Sequence, residues 1–431
     1  MGLIGAYIGM RASIIAPKYV TIGAGAIVGA ASLVNRLVGR GEIVAGVSAK
    51  PLQKKRNQAL NRTDRNTDAF LALVRAGLWE QDVRLLQFNP IDFQRVMGLA
   101  EEQSVVGLVA AGLEHVTDLK LPKEDVMQFV GQALQLENRN AAMNRFLAGL
   151  INNLRTVGIY TLLLKGQEVA QCYEKPLWRA CGDVDLYLSD DNYEKAKAFL
   201  TPLASEIEKE YVREKHLGMT IDGWVVELHG SLYCGLSSEI ERELDKVHQD
   251  TFFGGDVRSW NKNGTQVFLL KAENDVFYAF THILQHFYKE GVGLRQVCDW
   301  CRLLWCYRAQ LDLPLLEGRI KRAGLMTAWK AFGAYAVDYL GMTAEAMPFY
   351  SSSKKWSRKA GRINEFILSV GNMGHNRERS YSDKSYLIRK IYSFGRRCGD
   401  LIRHARIFPL DSLRFFPYIV YNGVRSAVRG E

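Results

Sequence analysis

The run LLLKGQEVAQCYEKPLWRACGDVDLYL, from Leu162 to Leu188, restricts the fold of this 431-residue chain more than any other segment. It is apolar at both ends, and it sets Asp183 and Asp185 one residue apart where the pattern reads as a buried strand. Alternate residues of a strand point to the same face, so the two carboxylates lie side by side. Two like charges held there are costly unless something positive sits between them. The rest of the chain must show what that positive group is.

The flanking patterns give a context. From Ala69 to about Thr156 apolar residues recur at three- and four-residue spacing, which predicts helices, with a cap-like Asn-Pro-Ile-Asp start at Asn89–Asp92 and a stop at Gly158. The period then changes. Ile159–Leu164 reads as a short central strand before Lys165-Gly166, Asp183–Leu188 as another, and the segment from Asp190 as a helix reaching about Glu210. Asp222-Gly223 between two alternating runs predicts a two-residue hairpin. On its second strand Val225, Glu227 and His229 share one face, which makes Glu227 the candidate third carboxylate. After Ser237 the chain reads as mainly helical to about Met347.

Three acidic residues on adjacent strands have a clear chemical use. Mg²⁺ takes oxygen ligands and completes its shell with substrate phosphates. Two such ions about 4 Å apart serve phosphoryl or nucleotidyl transfer by activating a hydroxyl and stabilising the leaving oxygen. His282 and His286, one helical turn apart, lack the Glu of an HExxH zinc motif and read as packing or as support for the site.

In order along the chain stand Leu164-Lys165-Gly166, Arg179, Gly182-Asp183-Val184-Asp185-Leu186 and Glu227-Leu228-His229. This set resembles the uncharacterised nucleotidyltransferase family of bacterial polysaccharide gene clusters, within the DNA polymerase β-like superfamily, over roughly Asp82 to the C-terminus. The resemblance implies an enzyme that moves a nucleoside monophosphate from a nucleoside triphosphate to a hydroxyl or phosphate of a small-molecule or glycan-related acceptor. It also implies Mg²⁺ held by Asp183, Asp185 and Glu227, which are the catalytic residues, with Glu227 as base on the acceptor. Lys165, Gly166 and Arg179 would bind the nucleotide, and His229, His286 and Asp299 would support the site. Two departures from the wider superfamily stand out: Gln167 follows Gly166 where Gly or Ser is usual, and the third carboxylate is Glu rather than Asp. The alternatives are a non-catalytic scaffold of a glycan-assembly complex and an acyltransferase working through the front of the chain.

That front carries a short repeat. Ile8, Ile14 and Val20 are six apart, as are Ile22, Val28 and Val34, with Gly and Ala between them. A six-residue period suits a left-handed parallel β-helix. With its closing IVAGVSAKPLQKK the segment resembles the C-terminal end of hexapeptide-repeat acetyltransferases. It is short for a solenoid and has no histidine before His115, so it reads as a remnant, a fusion or a misplaced start.

The expected fold class is α+β: a small mixed β-sheet nucleotidyltransferase core flanked by helical segments and preceded by a short left-handed β-helix remnant. The expected divisions are 1–52 (β-helix remnant), 53–68 (linker), 69–158 (helical), 159–235 (nucleotidyltransferase core), 236–350 (helical) and 351–431 (basic helical tail). Charge supports the last division. The net charge is +10, and residues 351–431 hold 17 Lys or Arg against 6 Asp or Glu, so the basic surplus belongs to the tail. Its aromatic end, Phe415, Phe416, Tyr418, Ile419 and Tyr421 among arginines, suits weak contact with an anionic membrane surface. No specific nucleic-acid reader is evident. Seven cysteines without framework spacing, and no signal peptide, suit a cytoplasmic protein peripheral to the inner face of the membrane. The Cys298–Cys301 pair, on a helical pattern, reads as packed thiols.

Overall fold

In the computed structural model of the chain, residues 64–262, 264–376 and 399–428 are described, together with short pieces between residues 7 and 51. The chain divides into two compact units, Met1–Arg62 and Thr63–Glu431.

Among the described residues of the first unit are six very short strands: β1 (Tyr7–Ile8), β2 (Ser13–Ile14), β3 (Ile27–Val28), β4 (Leu33–Val34), β5 (Ile43–Ala45) and β6 (Lys50–Pro51). β1, β3 and β5 pair in parallel, as do β2 and β4, and a parallel bridge joins Ile22 to Val38. β6 turns back antiparallel onto β5. Ala26, Val28, Val34, Val38 and Val44 are buried together. Of the six-residue series, Val28 and Val34 point inward and Ile14 is exposed, while Val20 lies outside the described residues.

The second unit starts with α1 (Arg65–Trp79), α2 (Phe93–Glu102), α3 (Val106–Leu113) and the long α4 (Lys123–Thr156). α1 begins inside the expected linker, because Asp64 caps it by accepting from the Asn66 amide. Asp92 caps α2 through the Gln94 and Arg95 amides. α1 and α3 meet backbone to backbone. A Cβ on Gly77 would lie 2.0 Å from the Leu108 carbonyl oxygen, and one on Gly112 would lie 2.1 Å from that of Leu73. On α3, Gly107 presses in the same way on the Trp178 carbonyl, 2.0 Å from a built Cβ. Small residues here therefore place the loop that leads to Asp183.

A seven-stranded mixed sheet follows. Its strands are β7 (Leu162–Leu164), β8 (Val184–Tyr187), β9 (Glu206–Ile207), β10 (His216–Ile221), β11 (Trp224–His229), β12 (Val257–Lys262) and β13 (Thr265–Leu270), in the order β12-β13-β7-β8-β11-β10-β9. Between them lie α5 (Gly166–Ala170), α6 (Asp190–Leu200) and α7 (Ser238–Phe252). One face supplies Leu163, Val184, Leu186, Leu217, Met219, Val226 and Leu228 to a core shared with α4 and α6. The other face carries Asp185, Glu227 and His229. Asp222 and Gly223 both take positive φ and join β10 to β11, the geometry of a type I′ turn.

Two expectations are corrected. The segment after Asp190 is not one helix: α6 ends at Leu200, next to Thr201-Pro202, and Glu206–Ile207 pairs with Met219 and Thr220 as β9. A proline cannot supply the amide that would continue the helix. The stretch from 236 to 350 is not purely helical either. β12 and β13 form an antiparallel hairpin inside it, and β13 joins β7 in parallel, so the sheet draws strands from beyond the expected core segment 159–235.

The remaining helices are α8 (Ala272–Lys289), α9 (Leu294–Tyr307), α10 (Leu313–Arg322), α11 (Met326–Asp338), α12 (Lys354–Val370), α13 (399–407) and α14 (Pro409–Val428). Phe408, Phe415 and Ile419 enter the large core with Phe366 and Phe332, whereas Leu410, Leu413 and Tyr421 are exposed. The basic stretch at 377–398 lies outside the described residues. Among the described residues, no helix is long and apolar enough to cross a membrane.

The α1–α3 contact gives a direct test. Gly77→Ala should destabilise the chain by about 1–3 kcal/mol or more, because backbone cannot yield as a side chain can, while Gly98→Ala, at an open helix position, should not destabilise it. Urea unfolding of both variants reads the difference, and equal stability would show that the helices do not pack this closely.

Candidate functional site

β8 and β11 run parallel in a register that places Asp185 directly opposite Glu227 and Tyr187 opposite His229. The β10–β11 hairpin sets His216 opposite His229 and Gly218 opposite Glu227. Partners across a ladder point to the same face, so His216, Glu227, His229 and Asp185 form one row. Asp183, just before β8, follows by the two-residue period. A Cβ on Gly218 would lie 2.6 Å from the Glu208 carboxylate, which covers it.

The carboxylates are met by Lys165 and two imidazoles. Asp185 is only 3% exposed. It accepts from Lys165 Nζ at 3.3 Å and from His229 Nε2 at 2.8 Å, both at Oδ1. Glu227 Oε2 lies 3.1 Å from His216 Nε2 and 3.5 Å from His229 Nε2. The cost expected from the sequence is therefore offset within the chain by Lys165 and two imidazoles. Burial alone would raise the Asp185 carboxyl, but Lys165 and His229 hold it below its ordinary value. Glu227 is likewise lowered against its burial, by His216 and His229. His229 is raised, its two carboxylate bonds outweighing its burial. Asp183 behaves differently: crowding by Asp185, then burial and Glu227, push it up to about 6.

Lys165 occupies the turn between β7 and α5 with φ +50, and Gly166 follows at φ +44. A Cβ on Gly166 would approach the Asp183 carbonyl at 3.5 Å. Gln167 points away from the row, its Nε2 3.3 Å from Asn140 Oδ1 and 3.0 Å from Met143 Sδ. It braces α5 against α4 and adds nothing to the cradle.

Arg179 is committed elsewhere. Its Nε and Nη2 bind the two oxygens of Asp299 at 3.1 and 2.6 Å, and Tyr173 donates to the same carboxylate at 2.8 Å. Asp299, on α9, thereby anchors the loop ahead of β8. Asn140 on α4 donates to the Leu177 and Arg179 carbonyls at 2.8 and 2.7 Å, and Arg139 to the Cys181 and Gly182 carbonyls at 2.7 and 3.2 Å. α3, α4 and α9 together hold the approach to Asp183.

α8 lines the row with Tyr278, His282 and His286 at successive turns. Lys165 Nζ lies 5.6 Å from the Tyr278 ring centre. Burial, only partly offset by Lys165, pushes the Tyr278 hydroxyl up to about 12. His286 Nδ1 is 3.1 Å from Glu290 and its Nε2 is 3.0 Å from His282 Nε2. Burial, then Lys165, His286 and His229, push His282 well below its ordinary value. Cys298 and Cys301 are buried free thiols on α9.

A family model described as an uncharacterised nucleotidyltransferase matches residues 89–341, more than half of the chain. The chain belongs to this nucleotidyltransferase family. A solved nucleotidyltransferase-like antigenic protein from Paracoccidioides brasiliensis is 14% identical over 43% of this chain and 90% of that one, with a TM-score of 0.27. No curated protein matches.

Within the family match, three site-facing residues escaped the sequence reading. His216 was legible in principle: a two-residue turn at Asp222-Gly223 pairs residue 216 with 229. Tyr278 carried the signal of i, i+4 spacing with His282. Arg295 carried none, being one basic residue on a helix. Its Nη1 donates to the Ala180 carbonyl at 2.8 Å, its Nε is buried without a hydrogen-bond partner, and its charge lowers Asp183. Among the described residues, His216, Glu227 and His229 bring three ligand atoms within 4.8 Å of one another.

The Arg179–Asp299 pair can be checked by stability. Asp299→Asn should cost about 3–5 kcal/mol, because it leaves a buried guanidinium unpaired. The double change Arg179→Met with Asp299→Leu should recover most of that loss. Additive losses in chemical denaturation would show that the two residues do not act as a pair.

Proposed function

We propose that this nucleotidyltransferase-family chain is a Mg²⁺-dependent enzyme that transfers a nucleoside monophosphate from a nucleoside triphosphate to a hydroxyl or phosphate of a small-molecule or glycan-related acceptor. The observation that carries the reading is the register pairing Asp185 with Glu227 across parallel strands, with Asp183 on the same face. The donor set fits a hard cation, since three carboxylates are brought together and the crowding that raises Asp183 is what a divalent ion relieves. Mg²⁺, when bound, would supply charge neutralisation of the triphosphate and of the leaving pyrophosphate.

The chain's own groups have separable tasks in this reading. Asp183 and Asp185 hold the ion. Glu227 completes the row and takes the proton from the acceptor hydroxyl as its oxygen bonds to the α-phosphorus and pyrophosphate leaves. Lys165 exchanges Asp185 for the phosphates, and Gly166 leaves room for them beside the Asp183 backbone. Arg295, with a donor to spare, takes the phosphate-facing task first expected of Arg179, which keeps the Arg295-bearing wall in place through Asp299. His229 positions Asp185, and the His282–His286 pair backs it.

One observation favours a second reading. Lys165 already neutralises Asp185, as it would in a non-catalytic scaffold that has kept the fold. The two readings separate on purified protein given each α-labelled nucleoside triphosphate, Mg²⁺ and candidate glycan precursors. The enzyme reading expects label transfer that Asp183→Asn and Asp185→Asn each reduce by at least about 100-fold, because each loses a metal-holding oxygen. Glu227→Gln should lose transfer similarly and Glu227→Asp should keep part of it. A wild-type chain that neither binds the triphosphate nor transfers label would establish the scaffold.

A further inference from the structure

The row has a feature that three carboxylates alone do not explain. Two imidazoles, His216 and His229, stand on the same sheet face as Glu227, and both aim Nε2 at its Oε2, at 3.1 and 3.5 Å. His229 Nε2 is also 2.8 Å from Asp185 Oδ1. Ligand atoms bound at about 2.0–2.2 Å in tetrahedral or octahedral geometry lie roughly 2.8–3.5 Å from each other. Both imidazole–Glu227 separations already fall in that range, and the three ligand atoms lie within 4.8 Å of one another. Each histidine directs Nε2 at a carboxylate oxygen, so an ion shared between them needs little movement of the side chains.

The donor types decide which ion suits the position. Mg²⁺ and Ca²⁺ take oxygen, whereas imidazole suits zinc and its first-row neighbours. Access is open, since the His216 side chain is 26% exposed while that of His229 is 10% exposed. Both histidines are fixed by the hairpin: His216 begins β10 and His229 ends β11, so a two-residue turn and six residues on each side bring them together. Lys165 lies on the Asp185 side of the row, which leaves the Glu227 end as the place for a second positive charge.

We propose that His216, Glu227 and His229 form a transition-metal site that takes Zn²⁺ or Co²⁺ in preference to Mg²⁺. It rests on the nucleotidyl-transfer reading only for its use, as the second ion position of the carboxylate row, and not for its existence.

Co²⁺ is the probe, added to metal-stripped full-length protein. One equivalent should bind and give a visible d–d spectrum, Zn²⁺ should displace it, and millimolar Mg²⁺ should not. His216→Ala should weaken Co²⁺ binding by at least about 10-fold, while His375→Ala, at an exposed position away from the row, should bind as wild type does. X-ray absorption on the wild-type Co²⁺ complex needs no variant to fold and should show imidazole scattering. An all-oxygen shell, no stoichiometric Co²⁺ binding, or unchanged affinity in a folded His216→Ala chain would overturn the site. Failure of nucleotidyl transfer with the Co²⁺ site intact would instead count against the reading of function alone.

Discussion

Asp185 facing Glu227 across β8 and β11 is the constraint to which the rest of the site answers. Two carboxylates cannot share a buried sheet face unless charge is returned to them, and each neighbouring element returns some. The turn after β7 lifts Lys165 to Asp185, the end of β11 turns back His229, and the hairpin strand β10 contributes His216. The reverse face is packed with aliphatic side chains against α4 and α6. A one-residue slip of either strand would bury the charged row in that core, so the packing that stabilises the sheet also fixes the register of the site.

The supporting helices place backbone more than they supply chemistry. The loop carrying Arg179 to Asp183 is pressed by Gly107, held by Arg139 and Asn140, and anchored through Arg179 to Asp299 on α9. On the far side, Arg258 on β12 joins Glu168 of α5 and Asp275 of α8 at 3.0 and 2.5 Å, tying the start of α8 to the Lys165 turn. That places Tyr278 and His282 over the row.

Much of this was legible because it is local. The period change at Gly158, the Asp183/Asp185 strand, the Asp222-Gly223 turn and the shared face of Glu227 and His229 all follow from patterns of two or three residues. His216 needed one further step, counting back from the turn, and the β12–β13 hairpin sits in a stretch that reads as mainly helical. The pairing of Arg179 with Asp299 spans 120 residues. A basic residue beside an acidic motif reads as a phosphate ligand until the fold shows which carboxylate it meets. Lys165 reaching Asp185 was hidden for a related reason: in sequence the lysine belongs to the glycine turn, and only the β7–β8 pairing brings it across.

In the proposed function, Asp183, Asp185 and Glu227 form a cation and nucleotide site, with Lys165 standing in for part of that charge. Anomalous diffraction from crystals grown with Mn²⁺ and a non-hydrolysable nucleoside triphosphate tests it most directly. The expected result is a manganese peak within bonding distance of the Asp183 and Asp185 carboxylates, the triphosphate beside Gly166, and Lys165 moved from Asp185 to the phosphates. A nucleotide bound away from this row, or crystals in which the row takes up neither ion nor nucleotide and Lys165 stays on Asp185, would contradict it.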